Sequence, residues 1–369
     1  MNSLLCSLLV ALLTAMPIAQ SMPDTVDALD GLDPVLLVAG KEVPGKSALS
    51  VKRGGFTYLF STAETKATFE GDPGKYEIQL GGLCARMGKT AGGNPSDFLV
   101  HDGKIYVFGS DDCHKKFAAA PAKYLAPAPE PMAASTAATA KARQLLDRAV
   151  AAMGGAGRID GLSSYAESYS QVQARPQGEA TVATKTIWSF PDRVRQERTI
   201  AMQGKAISSA TILSPQGMWF VSGQGEPYPI RPAARPSLEQ DFGRNPVALL
   251  RHRRDPDFKA SALGPGSVGD STVENVRVRA GSVDVTLGIG ASGRIHSSTF
   301  QDRNAEGEVG TRTLVYSDFR AVEGMQLPYG IRATFNGAPD PQQSMTLDAI
   351  ALNAATDPAL FAPNSPAKR

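Results

Sequence analysis

The chain is poor in the residues that most often carry chemistry. Among 369 residues there are three cysteines, four histidines and two tryptophans. Cys6 lies in the N-terminal apolar run, which leaves Cys84 and Cys113 for the body of the chain. Two cysteines are too few for a disulfide-dense scaffold or a four-cysteine zinc site. His101, His114, His252 and His296 are scattered, and none sits in His-Glu-x-x-His or near a Gly-x-Ser-x-Gly elbow, so the common hydrolase templates find no foothold. No pair of carboxylates stands out from ordinary surface charge, and we expect no catalysis. Thirty-eight basic residues against thirty-six acidic ones leave a net charge of +2 with no long basic run, which disfavours a nucleic-acid partner.

What is present begins with an export signal. MNSLLCSLLVALLTAMPIAQS has an apolar stretch from Leu4 to Ala15 and small residues at Ala19 and Ser21, at cleavage-like spacing. The run is shorter than the roughly twenty residues a membrane span needs. We therefore expect residues 1–21 to be removed, with no transmembrane anchor afterwards. Cys6 lacks the small residue that a lipoprotein signal places before its cysteine. From Leu125 to Ala140, LAPAPEPMAASTAATA is rich in Pro and Ala and short of large apolar side chains. It reads as a linker over residues 127–140 between units at 28–126 and 141–366.

The first unit contains an internal repeat. Gly55, Tyr58, Phe60, Phe69, Pro73, Lys75 and Tyr76 recur 48 positions later as Gly103, Tyr106, Phe108, Phe117, Pro121, Lys123 and Tyr124. Each copy predicts a glycine turn, a short strand ending in an aromatic, and a short helix stopped near proline. Ser61 and Glu64 have capping-box spacing in the first copy. Ser110 is the expected cap in the second, placing Cys113 in the first helical turn.

DPVLLVAGKEVPG from Asp33 and YLFSTAETKATFEGDPGKY from Tyr58 resemble the YHS module, over roughly residues 30–126. Typical members bind metal through cysteines. Here those family positions hold Leu36, Ser61 and Thr65, and only Cys113 in the second copy falls on a family cysteine.

Cys84, between glycines in GGLCARMG, is expected to lie between the two copies and near Cys113. Three readings stay open. The pair forms a structural disulfide, contributing about 3–4 kcal/mol by restricting the unfolded chain. Or it joins His114, His101 or Met87 in a soft site for Cu or Zn, although adjacent Cys113 and His114 diverge by about 100 degrees on a helix. Or it is a redox thiol pair at a helix N-terminus.

The second unit opens with KARQLLDRAVAAMGG, whose Leu145, Leu146, Ala149, Val150 and Met153 form one helical stripe ending at Gly154. GGAGRIDG trails this helix, and reads as a cap rather than a phosphate loop. Alternating runs such as SYAESYSQVQ, TVATKTIWSF, AISSATIL, STVENVRVRA, SVDVTLGI, TRTLVYSDF and YGIRATF predict an antiparallel sheet. A helical interruption near Ser237–His252, broken at Pro246, would lay an apolar face across it.

AMGGAGRIDGL, IWSFPDRVRQE, GMWFVSG, YSDFRAVEGMQLPYGI and IALNAATDPALF resemble the LolA-like family, over roughly residues 141–363. These are periplasmic carriers and sensors of lipoproteins or other lipophilic molecules. The resemblance implies a half-barrel closed by helices around an apolar cavity, lined by Trp188, Trp219, Phe220, Leu249, Leu250, Phe300 and Phe335. It also implies a periplasmic location and a lipophilic ligand, a lipoprotein or an envelope protein as partner. Arg193 with Arg195, and the run Arg251, His252, Arg253 and Arg254, are surface positions that could meet an anionic headgroup. The expected fold class is α+β: a small duplicated strand–helix module, then an antiparallel β half-barrel with covering helices.

Overall fold

The computed structural model describes residues 25–88, 91–132, 135–175, 178–223 and 227–363. The stretch read as an export signal, residues 1–21, lies outside the described residues. The small unit comprises β1 (Val26–Asp27), α1 (Pro34–Val38), β2 (Lys46–Arg53), β3 (Phe56–Phe60), α2 (Ala63–Gly71), α3 (Pro73–Tyr76), β4 (Asn94–His101), β5 (Lys104–Phe108) and α4 (Asp111–Ala119).

The sequence repeat is a structural repeat. Shifting β2, β3, α2 and α3 by 48 residues lands on β4, β5, α4 and the 3-10 turn Pro121–Lys123. Both hairpins close through two residues in the left-handed region, Gly54–Gly55 and Asp102–Gly103, which matches strand twist. Even the bulge recurs, between Lys46 and Ser50 in one hairpin and between Asn94 and Phe98 in the other. Phe69 packs on Tyr58 and Phe60 with ring centroids 5.0 and 5.2 Å away; Phe117 packs on Tyr106 and Phe108 at 5.4 and 5.2 Å. All six aromatics are buried, so the residues that repeat are those that build each copy's core. Ser110 caps α4, accepting from Cys113 N. In the first copy the cap is Thr62 rather than Ser61, with Thr65 completing the box. Ser61 is instead drawn inward, donating to Asp33.

The large unit opens with α5 (Thr136–Met153) and α6 (Ala156–Asp160). The helix starts at Thr136, because the Ser135 hydroxyl caps it by accepting from Ala138 N. Residues 136–140, read above as linker, are therefore helical. Next come β6 (Ser164–Arg175), β7 (Gly178–Ser189), β8 (Arg193–Met202), β9 (Lys205–Ser214), β10 (Gly217–Ser222) and β11 (Tyr228–Pro229). Two helices follow, α7 (Arg235–Gly243) and α8 (Pro246–Arg251). Pro246 does not break a helix but opens α8 at its first position, where its missing N–H costs nothing, and Asn245 caps it. The chain finishes with β12 (Lys259–Val268), β13 (Ser271–Ala280), β14 (Val283–Gly290), β15 (Ile295–Arg303), β16 (Val309–Val322), β17 (Met325–Phe335), β18 (Ala338–Pro339) and β19 (Met345–Leu352).

These strands form one large antiparallel sheet in the order β11-β10-β9-β8-β7-β6-β19-β17-β16-β15-β14-β13-β12, with β18 beside β17. Two meanders thus meet at β19, which returns to pair with both β6 and β17. The helices cover one face. The stripe of α5, with Leu238, Phe242, Leu249 and Leu250 from α7 and α8, joins Val276, Leu287, Phe300 and Leu327 from the strands in a single core. On the other face Phe361 from the C-terminal segment packs on Ile187, Ile212 and Val221. Arg195 is fully buried there, 2.8 Å from Glu197 and donating at 2.8 Å to Leu360 O. It is a structural ion pair rather than the surface cation expected. No helix among the described residues is long and apolar enough to cross a membrane.

Candidate functional site

Two places combine unusual chemistry with access. The first is the thiol pair. Cys84 sits on the loop that joins the two copies, pinned by its N–H to Ala91 O at 2.8 Å and by Ala85 N to Val107 O at 2.9 Å. Cys113 is the third residue of α4. Both carry free thiols in the structure. The two cysteines share one buried cluster with Ala85, Tyr106, Phe108, Phe117 and Tyr124. Arg86 Nη1 stands 3.6 Å from Cys113 Sγ. Burial pushes the Cys113 thiol up, but hydrogen bonds involving Ser110, Arg86 and Cys84, and the charge of Arg86, bring it net below its ordinary value. Arg86 Nε is the one buried side-chain nitrogen or oxygen without a partner among the described residues.

The expected third metal ligands do not gather. His114 turns away, as helix geometry demands of a residue adjacent to Cys113: Nδ1 is 2.5 Å from Asp97, and its ring stacks on Phe108 at 4.5 Å. His101 packs edge-on against Phe117. Met87 packs against the cluster that holds both thiols. Among the described residues no group of three His, Cys, Asp or Glu side chains could hold a metal ion.

The second place is a groove of about 790 Å³ between α5 and the edge strand β12. Leu146, Val150 and Phe258 give it apolar lining, and its exposed charged residues are Arg143, Arg254 and Lys259 with one acid, Asp147. Arg253, nearly buried, pairs with Asp160 at 2.5 Å and donates to Leu250 O; Arg254 reaches the same carboxylate at 3.0 Å. These two arginines hold Asp160 below the usual carboxylate range.

The seven residues expected to line a cavity do not converge. Trp188, Leu249, Leu250 and Phe300 are filled core beneath the helices, with Trp188 Nε1 donating to Phe242 O and Arg244 lying 3.8 Å over the Phe300 ring. Trp219 packs on the opposite face of the sheet, and Phe220 is exposed opposite Tyr228 near the sheet edge. Phe335 lines a separate cleft with Arg303 and Met87. The groove is built from aliphatic helix residues, Phe258 and an edge strand, so aromatic content alone does not mark it. Its only advance signals were the basic run 251–254 and the Leu146–Val150 stripe.

No family model matches this chain, and no curated protein matches it either. Among solved structures it is similar to a LolA superfamily protein from Nitrosomonas europaea, at 14% identity and TM-score 0.40 over 60% of this chain and 97% of that one. A domain named for outer-membrane lipoprotein sorting from Vibrio parahaemolyticus gives 10% and 0.36 over 62% and 100%. A DUF1329 family protein from Desulfovibrio piger gives 10% and 0.34 over 62% and 99%.

Proposed function

We propose that this chain is a non-catalytic binding protein of the periplasm, whose large unit holds a lipophilic ligand or the acyl part of a lipoprotein, with the small duplicated unit as an accessory module. The observation that supports it is the α5–β12 groove. Its volume suits a small-molecule ligand, its apolar lining would gain about 0.8 kcal/mol per buried methylene, and its exposed charge is mainly cationic. With Arg143, Arg254 and Lys259 against the single carboxylate of Asp147, that combination favours an apolar chain ending in a phosphate or carboxylate over a neutral lipid. The competing reading, a Cu or Zn or thiol-redox protein acting through Cys84 and Cys113, has Met87 beside the pair but, among the described residues, no His, Asp or Glu to complete a metal set.

The test is native mass spectrometry on protein purified from the periplasm, then binding of phosphatidylglycerol and phosphatidylcholine to delipidated protein. Preference for the anionic lipid is expected. The pair Arg254→Glu and Lys259→Glu should abolish that preference, and Ala151→Trp should obstruct both lipids. Absence of any lipid, co-purifying or added, would sink the carrier reading. Binding indifferent to all three substitutions would move it away from this groove.

A further inference from the structure

The duplication supplies an internal control for the thiol pair. The left-handed turns at Gly31 and Gly82, the bridges Leu32–Pro44 and Leu83–Gly92, and the N–H contacts of Asp33 to Val43 O and Cys84 to Ala91 O correspond between copies. Asp33 in the first copy is therefore the counterpart of Cys84. Thr65, 48 positions before Cys113, is the counterpart of Cys113. In the first copy this pair is a lock. Asp33 Oδ2 accepts from Thr65 Oγ1 at 2.6 Å and from Ser61 N and Oγ at 2.8 Å each, tying the loop to the start of α2. In the second copy the same two places hold two thiols and an arginine with an unpartnered nitrogen.

What differs is what the loop carries. The loop after Cys84 is where the small unit meets the large one. Arg303, at the end of β15, donates from Nη1 to Arg86 O at 2.9 Å and to Gly307 O at 2.7 Å. Gly88 has φ +58°, and a Cβ there would lie 2.5 Å from Arg303 Nε. Arg231 stacks on Phe56 beside Gly82, and Lys123 pairs with Glu308 at 3.0 Å.

We propose that Cys84 and Cys113 are a reversible dithiol–disulfide switch, in which oxidation supplies the second copy with the loop-to-helix lock that Asp33 gives the first and so firms the docking of the small unit on the large one. The oxidant is a disulfide, of small-molecule or protein origin. Cys113 retains 7% exposure and Cys84 none, so Cys113 is the residue that attacks. Its thiolate, beside Arg86, displaces one thiolate from the oxidant and forms a mixed disulfide. Cys84 then attacks the Cys113 sulfur, loses its proton, and releases the second thiol. Two protein thiols become one disulfide as one oxidant disulfide becomes two thiols. The lowered pKa of Cys113 suits it to the first step.

The experiment equilibrates the full mature chain in reduced and oxidised glutathione at graded ratios, counts free thiols by alkylation and mass, and follows backbone hydrogen exchange. Intramolecular disulfide should form without denaturant, with exchange across residues 84–88 slowed at least tenfold on oxidation. Cys84→Ser should stall as the glutathione adduct of Cys113, whereas Cys113→Ser should resist modification. Arg86→Gln should move the pH profile of Cys113 alkylation upward. Failure of the native chain to form the disulfide at any ratio overturns the proposal, as does a disulfide that forms but leaves exchange at 84–88 unchanged. Stoichiometric uptake of Zn or Cu(I) that shields both thiols from alkylation overturns it in favour of a metal site.

Discussion

Arg312 on β16 is 3% exposed and held on every side. Nε and Nη1 stand 2.6 Å from Asp302 and Asp340, Nη2 donates to Arg303 O at 3.1 Å, and Phe335 lies under the guanidinium at 5.2 Å. Asp302 is itself nearly buried, at 6% side-chain exposure. Replacing Arg312 by Met keeps the stem but takes the nearest cation from two carboxylates, leaving interior Asp302 with Arg244 at 4.0 Å. Removing one partner of a buried pair costs about 3–5 kcal/mol, mostly through the charge left behind. Both tryptophans, Trp188 and Trp219, lie in the large unit, so fluorescence in urea reports that unit alone. At an m-value of about 3 kcal/mol per molar, the midpoint should fall by roughly 1–1.7 M. Adding Asp302→Asn to Arg312→Met should recover part of the loss, since the buried carboxylate that lost its nearest cation is gone. A shift below about 0.3 M for Arg312→Met would refute the view that this cluster is an interior ion network.

Two further expectations concern carboxyls, half-buried Glu167 and buried Asp33, whose pKa values move in opposite directions. Burial raises the Glu167 pKa, only partly offset by hydrogen bonds to Tyr165 and Asn245. A raised folded pKa means stability that is full below the unfolded value and is lost as pH rises through the folded one. Urea midpoints of the native protein should therefore fall relative to Glu167→Gln as pH goes from about 4 upward, the unfolded Glu value being about 4.3; a relative rise would contradict the assignment. Burial also pushes Asp33 up, but hydrogen bonds from Ser61, Thr65 and Leu36 bring it net below its ordinary value. Its contribution is present above the unfolded value and disappears as pH falls through the folded one. Exchange protection of residues 56–71 should therefore weaken in acid in the native protein, and Asp33→Asn should show lower but pH-flat protection; equal acid sensitivity in both would refute it. Phe69→Ala and Phe117→Ala, which vacate equivalent core positions, should each cost about 3–5 kcal/mol in the small unit, read by circular dichroism. Costs differing by more than about 2 kcal/mol would mean that the copies do not share a packing plan.

The strands that sequence made legible are those with one buried face. STVENVRVRA coincides with β13 because Val276 and Val278 are turned into the core with Arg277 and Arg279 alternating on the other face. β12 escaped notice because KASALGPGSV carries Gly264 and Pro265, which an edge strand tolerates at a bulge and an interior strand does not. β15 escaped because IHSSTFQDR buries Ser297 and Ser298, with the Ser298 hydroxyl bonded to Tyr316. Polar residues on the core face defeat a reading by hydrophobic alternation. The aromatic lining failed for a related reason: an aromatic in a strand reports burial, and burial in packed core and burial beneath a ligand leave the same trace in sequence.

The thiol site shows a different limit. The 48-residue period captured Tyr58, Phe60 and Phe69 because hairpin, strand and helix keep their lengths in both copies. Asp33 and Cys84 stand 51 apart, since the loop preceding the hairpin is three residues longer in the first copy. A fixed period pairs Asp33 with Gly81, and the correspondence vanishes. Only the bridges and left-handed turns restore it. The chemistry differs as well, a carboxylate with hydroxyls in one copy and two thiols in the other, so residue identity gives no help. What the copies share is a demand: a left-handed turn hands its loop to the first turn of a helix, and something there must hold it. Asp33 meets that demand permanently. Cys84 and Cys113 can meet it only when oxidised, and they do so on the loop that touches the other unit.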